Sequence, residues 1–266
     1  MIDDMSPRHL RGAVVFLLAL AVCGKGASAA VRPGKVVHVV VALCDNQYQG
    51  IVPVPAKLGN GDDPANNLYW GAAFGVKTFF RKAGDWALIS ATPGSGASVL
   101  ERVIFKHRKE DVYLVADAYR GRDIRKATWD FLRFSSGRDA GTVEIPSGSL
   151  STGGGADLVV YVGHDGLMDF SVPAIPRGEA GRGRDAIILA CASRGYFAGP
   201  LRQAGARPLL WTTGLMAPEA YVLKAALDGW ILGEDGEKTR NRAAGAYHKY
   251  QGCSLKSALK LFATGW

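Results

Sequence analysis

Two apolar stretches in the second half of the chain decide the fold: DLVVYVGHDG (residues 157–166) and DAIILACASRG (residues 185–195). Each contains a run of strand length, rich in β-branched and aliphatic residues, that stops at small or polar residues. Such runs are typical of strands buried on both faces of a parallel sheet. RPLLWTTG (residues 207–214) repeats the pattern, and PEAYVLKAALDGWILG (residues 218–233) then indicates a helix. The region therefore predicts parallel strands alternating with helices.

The first half of the chain extends this prediction. KVVHVVVALCD (residues 35–45) indicates a further buried strand, followed by a loop rich in Gly, Pro, Asn and Asp. Apolar residues at helical spacing predict a helix over 66–84, with Asp63 or Asn66 capping its start and Gly84 its end. The other predicted elements are strands within 85–92 and 101–119, a helix over 123–137, an exposed flexible loop over 146–156, and a last helix over 241–263 broken near Gly252. Together they predict an α/β three-layer sandwich with a mainly parallel central sheet.

Residues 1–30 differ from the rest of the chain. A basic start is followed by the eleven-residue apolar run AVVFLLALAVC and by GKGASAA, which carries a small-x-small cleavage pattern. This order predicts a secretory signal peptide cut after Ala29 or Ala30. The apolar run is well short of the roughly 20 residues that a membrane-spanning helix needs, so no transmembrane anchor is expected after cleavage. Lipidation at Cys23, in a faint lipoprotein-like box, is the alternative.

The remaining residues, 31–266, have the length and hydrophobic content of one globular domain. Cleavage removes three basic and two acidic side chains, which leaves a net charge of +7. A basic surface attracts anionic partners without specificity, and no run of five basic residues occurs. We therefore expect no specific nucleic-acid partner, and a polyanion-binding surface protein is a further alternative. The expected location is periplasmic or secreted, and the sequence leaves the oligomeric state open.

Three cysteines follow the signal peptide: Cys44, Cys191 and Cys253. Three cannot all pair within one chain, so at least one thiol is free or bonded to another molecule. Neither a CxxC nor a zinc-like spacing occurs, and we predict no metal and no cofactor. Cys44 is expected to be a core thiol, with a disulfide to Cys191 as the alternative, and Cys253 a packing residue.

His164 and Cys191 each follow one of the two decisive strands. Reactive groups in open parallel sheets collect at the carboxyl ends of the strands, so these side chains are expected at the same edge. A thiolate is the reactive form of cysteine, and an imidazole can take the thiol proton as the sulfur attacks. Considered alone, each residue is more simply explained as a packed thiol or a loop histidine. Together they predict a nucleophile and base.

The same stretches resemble a known family. VVYVGHDG (159–166) and AIILACASRGYF (186–197) are similar to the strand-His-Gly and strand-Ala-Cys-x-Ser-Gly signatures of the caspase-like cysteine peptidases, which include legumain, caspases, clostripain and gingipains. VVHVVVALCDNQY (36–48) resembles the first strand of that fold, and GARPLLWTTGLMAPEAY (205–221) resembles the strand, loop and helix after the cysteine. The resemblance covers most of residues 35–232.

The resemblance implies a caspase-like fold and roles for particular residues. Cys191 corresponds to the nucleophile and His164 to the general base or acid. The backbone N–H groups of Cys191 and Asp165 correspond to the donors that hold the oxyanion. An endopeptidase of this kind cleaves protein or peptide substrates through a thioester, without cofactor or metal.

Three positions depart from the family pattern. Asp165 replaces the usual glycine after the histidine, and its carboxylate would oppose an oxyanion unless it points away. Leu189 stands where legumain-like and clostripain-like members often carry an acidic residue, so no acidic pocket for Arg or Lys is expected there. Arg194 replaces the glycine of Cys-x-Ser-Gly. These departures motivate the alternative of a catalytically inactive caspase-like module that binds peptides or partners.

Three further residues are candidates for substrate binding. Arg194 is one of several arginines near Cys191 in sequence and could hold an acidic substrate side chain through bidentate contacts. Trp211 and Thr212 end the next strand and could line a substrate groove, although Trp211 could equally be a core residue.

Overall fold

The computed structural model describes Met1 and residues 34–174 and 184–266 of the 266-residue chain. The described residues from Gly34 onward belong to one compact unit. The predicted signal peptide, apart from Met1, and the lipoprotein-like Cys23 lie outside the described residues. Within the described ranges, no helix is long and apolar enough to cross a bilayer.

The described residues of this unit form ten strands and six α-helices. The strands are β1 (Lys35–Ala42), β2 (Trp86–Pro93), β3 (Val99–His107), β4 (Val112–Tyr119), β5 (Gly141–Ile145), β6 (Gly148–Thr152), β7 (Leu158–Val162), β8 (Asp185–Leu189), β9 (Arg207–Thr212) and β10 (Phe262–Ala263). The helices are α1 (Val76–Lys82), α2 (Ile124–Ser135), α3 (Ser193–Ala204), α4 (Ala220–Ile231), α5 (Gly236–Gln251) and α6 (Leu255–Leu261). Short 3-10 turns follow β4, β6 and β7.

Eight of the strands form one sheet in the order β10-β9-β8-β7-β1-β4-β3-β2, and β5 and β6 form a separate hairpin. The five strands from β9 to β4 run parallel. The outer strands, β10 at one end of the sheet and β3 and β2 at the other, pair antiparallel with their neighbours. The predicted α/β class with a mainly parallel sheet is therefore confirmed. The consecutive strands β7, β8 and β9 are also neighbours in space.

The central strand β1 separates two hydrophobic cores. Val37, Val39 and Val41 pack on one face of the sheet with residues of α1, α4 and α5. Val36 and Val40 pack on the other face with residues of α2 and α3. Both faces are covered because successive side chains of a strand point to opposite sides and nearly all of those in β1 are apolar. Helix, sheet and helix thus form three layers.

The prediction of a long helix over 66–84 is wrong for its first half. The chain makes irregular turns up to Gly75, and the helix covers only Val76–Lys82. A Cβ on Gly75 would lie 2.4 Å from the backbone of Trp70, and one on Gly71 2.1 Å from the Ala65 carbonyl oxygen. The glycines permit tight backbone approaches that a continuous helix does not make.

The prediction of a flexible loop over 146–156 is also wrong. Residues 148–152 form β6, and the Gly153–Gly155 turn that follows is largely buried. The Gly153 N–H donates to His38 Nδ1 at 2.7 Å, and a Cβ on Gly153 would lie 2.2 Å from the Asp139 carbonyl oxygen. The small residues allow close packing of the backbone, which composition alone does not distinguish from flexibility.

Candidate active site

His164 and Cys191 occupy equivalent positions beyond two neighbouring strands. β7 and β8 are parallel and hydrogen-bonded, with Val162 opposite Leu189 at their carboxyl ends. Each of the two candidate residues follows its strand end by two positions. The prediction that both residues lie at the carboxyl ends of the parallel strands is therefore confirmed. Because β7 and β8 pair in register, their two strand ends lie side by side.

The two residues line the same cavity, which has a volume of about 290 Å³. Its other walls come from the loop after β1, from the turn after β7 and from the loop after β9. His164 is buried, whereas Cys191 is partly exposed. A small molecule or peptide that enters this cavity would therefore meet the sulfur and the imidazole together.

The ring of His164 is held by a carboxylate. Its Nε2 lies 2.7 Å from Asp169 Oδ2, and the same oxygen accepts from the Gly50 N–H at 3.2 Å. A carboxylate accepts hydrogen bonds, so Nε2 carries the proton in a neutral ring, and Nδ1, which has no hydrogen-bond partner among the described residues, keeps its lone pair. Tyr161 also donates its hydroxyl to the His164 carbonyl oxygen at 2.8 Å. The imidazole is thus oriented with one nitrogen available to accept a proton.

Asp169 was not among the residues singled out in the sequence. It lies five positions after His164, in the loop that follows the 3-10 turn Gly166–Met168. An acidic residue in the loop of a candidate histidine is the only signal that could have indicated it. The turn brings the carboxylate back to the ring, and sequence spacing alone does not reveal that reversal.

Cys191 lies in a sharp turn between β8 and α3. The next residue, Ala192, has a φ of 47°, a left-handed conformation that residues with a side chain seldom adopt. The Ala192 N–H donates to the Gly214 carbonyl oxygen at 2.8 Å, which helps to hold the turn. Helix α3 was not predicted because Gly195, Gly199 and Pro200 interrupt its sequence pattern. The tight turn directs the chain from strand to helix immediately after the thiol.

The sulfur of Cys191 contacts the loop after β9. It accepts from the Met216 N–H at 3.4 Å and donates to the Met216 carbonyl oxygen at 3.5 Å. These are the hydrogen bonds of Sγ among the described residues, and the imidazole of His164 is not one of its partners. The thiol is therefore held at the cavity wall by backbone groups.

The carboxyl group of Asp165 is turned into the protein. It is fully buried, accepts from the Leu167 N–H at 3.0 Å and caps the turn after β7. Its pKa is raised from 3.8 to about 7, chiefly by burial and also by the negative charge of the nearby Asp169, against the opposing hydrogen bond from the Leu167 N–H. Because Asp165 does not line the cavity, its carboxyl does not face the position expected for an oxyanion.

The backbone N–H groups of Asp165 and Cys191 have no acceptor among the described residues. They are the two donors that the sequence resemblance assigned to the oxyanion. Cys191 lines the cavity, whereas Asp165 is fully buried and does not, so in this conformation only the Cys191 N–H is placed near an entering substrate.

The three candidate substrate-binding residues do not line the cavity. Trp211 is almost fully buried in the core on the α2 and α3 side, with its ring edge-on to that of Trp266. Thr212 is fully buried and bonds to the backbone on both sides of Cys191. Arg194 is exposed in the first turn of α3. Thr212 therefore supports the turn that carries the thiol, and burial leaves Trp211 and Thr212 no surface for a substrate in this conformation.

The three cysteines that follow the predicted signal peptide are free thiols. Cys44 is fully buried, as predicted for a core thiol, and burial raises its pKa to about 11. Its backbone N–H donates to Asn67 Oδ1, and Asn67 Nδ2 donates to its carbonyl oxygen. Cys253 lies in the break between α5 and α6 and packs against the core.

Within residues 34–174 and 184–266, no group of three or more His, Cys, Asp or Glu side chains is arranged to hold a metal ion. No protein-family model, curated protein or solved structure significantly matches this chain. The relation to caspase-like peptidases therefore remains a resemblance of sequence motifs, and function is inferred from the cavity itself.

Proposed function

We propose that the protein is an exported cysteine endopeptidase with a caspase-like fold, which hydrolyses peptide bonds through Cys191. The observation that carries the proposal is the shared cavity of Cys191 and His164, in which Asp169 orients the imidazole. A thiol, a base and a carboxylate that orients the base are the parts needed for nucleophilic catalysis. The motif resemblance and the order of the parallel strands support the caspase-like assignment.

The reaction has two stages. In the first, the thiol proton passes to His164 Nδ1 while the sulfur attacks the substrate carbonyl carbon. The N–H group of Cys191 would stabilise the oxyanion that forms. The C–N bond then breaks, the leaving amine takes the proton from His164, and a thioester remains on Cys191.

In the second stage, water attacks the thioester carbonyl carbon while His164 accepts a water proton. The C–S bond breaks, the carboxylic acid leaves and the thiol regains its proton. Asp169 stabilises the imidazolium that forms in each stage because its negative charge lies next to Nε2.

The test is alkylation of Cys191 with iodoacetamide at graded pH, combined with hydrolysis of a mixed peptide library. We expect His164→Ala to slow alkylation and to lower hydrolysis by roughly 100-fold or more, because general-base catalysis contributes about that much. His248→Ala is the matched control, since His248 is an exposed histidine on α5. Alkylation of Cys191 that does not depend on His164, together with an absence of hydrolysis, would rule out the peptidase.

One observation favours the second candidate, a catalytically inactive peptide-binding module. The sulfur of Cys191 bonds to the backbone of Met216 rather than to the imidazole. A thiol held in this way serves to maintain the shape of the cavity. Such a module would bind peptides in the same cavity but would not hydrolyse them. Cys191→Ser would then leave peptide binding unchanged.

A further inference from the structure

The cavity of Cys191 and His164 is bordered by unusually exposed apolar side chains. Val52 and Leu215 are 87% and 78% exposed, which makes them the two most exposed large apolar residues within residues 34–174 and 184–266. Both line the cavity, as does Met168, which is 41% exposed. They come from three separate loops. Exposed apolar side chains that converge on a cavity mark a binding site for an apolar group.

The wall of the cavity is apolar in its deeper part as well. Ile51, Val54, Tyr69 and Met216 line it, and among the described residues Asp, Glu, Lys and Arg are absent from the lining. A charged side chain that entered would lose its hydration without gaining an opposite charge, which is strongly unfavourable. The aliphatic Leu189, at the position discussed for an acidic pocket, is itself fully buried in β8.

The size of the cavity limits what can enter. A volume of about 290 Å³ lies at the small end of ligand pockets, which typically span about 300–1,000 Å³. One amino-acid side chain with its carbonyl group is an occupant of suitable size. Because Cys191 lies in the wall, the carbonyl of that residue would be the one presented to the sulfur.

We propose that this cavity is the subsite for the residue on the acyl side of the scissile bond, and that it selects an uncharged aliphatic side chain such as Leu, Met or Val. The inference rests on the proposed peptidase function and specifies its substrate class. Val52 and Leu215, on separate loops, are the specificity-determining residues. An acidic side chain held by Arg194 is disfavoured because Arg194 does not line the cavity.

The test uses three peptidyl chloromethyl ketones that differ only in their last residue, which is Leu, Arg or Asp. The rate of covalent modification of Cys191 is measured by mass spectrometry, with iodoacetamide as a probe that needs no subsite. We expect the Leu reagent to react at least about ten times faster than the Arg and Asp reagents, because the loss of hydration on entry is unfavourable for a charged side chain and favourable for an aliphatic one.

Substitutions at the exposed rim assign the selection to particular residues. Leu215→Glu, and independently Val52→Glu, should lower the ratio of the Leu rate to the Arg rate by about tenfold, since each places a carboxylate beside the entering side chain. Both positions are exposed, so neither change removes core packing. Leu232→Glu is the matched control because Leu232 is 63% exposed at the end of α4 and does not line the cavity. It should leave the ratio unchanged.

The outcomes separate the two proposals. An Arg or Asp reagent that reacts as fast as the Leu reagent, with alkylation still dependent on His164, overturns the aliphatic subsite and leaves the peptidase standing. An unchanged ratio in both rim variants likewise overturns the assignment of selection to Val52 and Leu215. Failure of every reagent, with iodoacetamide alkylation independent of His164, overturns the peptidase and with it the subsite.

Discussion

The hydroxyl oxygens of Thr212 and Ser193 lie 3.2 Å apart and join β9 to the turn that carries Cys191. Thr212 donates its one hydroxyl proton to the Ala190 carbonyl oxygen, and Ser193 donates its own to the Ile188 carbonyl oxygen at 3.0 Å. The two residues are joined by their backbone N–H groups, each of which donates to the hydroxyl oxygen of the other residue. Both side chains are fully buried. The backbone is therefore fastened on each side of the thiol by groups that water does not reach.

We predict that Thr212→Val destabilises the protein and slows alkylation of Cys191. Valine keeps the shape of threonine but leaves the Ser193 N–H and the Ala190 carbonyl oxygen without this partner, at a cost of about 1–3 kcal/mol. Urea unfolding measures the first effect and iodoacetamide the second. Thr213→Val is the control because its exposed hydroxyl bonds to Lys260, away from the thiol. Equal effects of the two variants would contradict the prediction.

We predict that Asp169→Asn lowers kcat by roughly 100-fold while KM changes little, provided that the peptidase proposal holds. An amide does not stabilise the imidazolium and can favour the other ring tautomer. Steady-state hydrolysis of a peptide with a C-terminal fluorophore gives kcat and KM separately. Asp111→Asn is the control, since Asp111 is an exposed carboxylate paired with Lys106. A fall in stability with unchanged kcat would assign Asp169 a structural role only.

We predict that Asp165 makes the protein less stable as the pH rises from about 4 to about 7. Its pKa is near 3.8 when unfolded and about 7 when folded, so the folded state binds the extra proton in this interval. The contribution of Asp165 to the free energy of unfolding is therefore fully present below about pH 4 and has been lost once the pH rises above about 7. Asp165→Asn should abolish that slope and raise stability above pH 7 by about 2–4 kcal/mol.

Urea unfolding midpoints at pH 5 and pH 8 measure the Asp165 effect. Asparagine retains an oxygen that can accept from the Leu167 N–H, so the cap is preserved. Asp165→Ala is the control, because it removes the buried charge and the cap together. The difference in stability between the wild-type protein and Asp165→Asn should change between pH 5 and pH 8. An identical difference at both pH values would contradict the raised pKa of the buried carboxyl group.

We predict that Cys191 is alkylated in the native protein while Cys44 is not. Cys191 is partly exposed, whereas Cys44 is fully buried and its raised pKa of about 11 keeps it protonated at neutral pH. Peptide mass spectrometry after brief iodoacetamide treatment distinguishes the sites. Labelling of Cys44 should begin only at urea concentrations that unfold the protein. Native labelling of Cys44 at the rate of Cys191 would show that the cores open locally.

The sheet was predictable because its signal is local. β1, β7, β8 and β9 are short apolar runs bounded by polar or small residues, and their burial follows directly from their composition. The meeting of His164 and Cys191 then required only that consecutive parallel strands be neighbours. Sequence order and strand-end positions were sufficient for that part of the site.

The remaining features depend on contacts that the sequence does not encode locally. Asp169 returns to the imidazole through a 3-10 turn, and the cavity wall formed by Val52 and Leu215 comes from loops far apart in the chain. Thr212 was expected to face a substrate, yet its hydroxyl satisfies buried backbone groups. Each of these outcomes is set by tertiary geometry rather than by residue type.

The central place of β1 has a consequence for how the molecule assembles. Val36 donates its N–H to Asp157, 121 positions further along the chain, at the start of the pairing between β1 and β7. A strand pairing this distant requires a large loop to close before it brings any stabilisation, which slows folding. A nascent chain that ends before residue 158 therefore has β1 unpaired along the side that β7 occupies in the complete sheet. Synthesis must continue past β7 before β1 can pair on both sides.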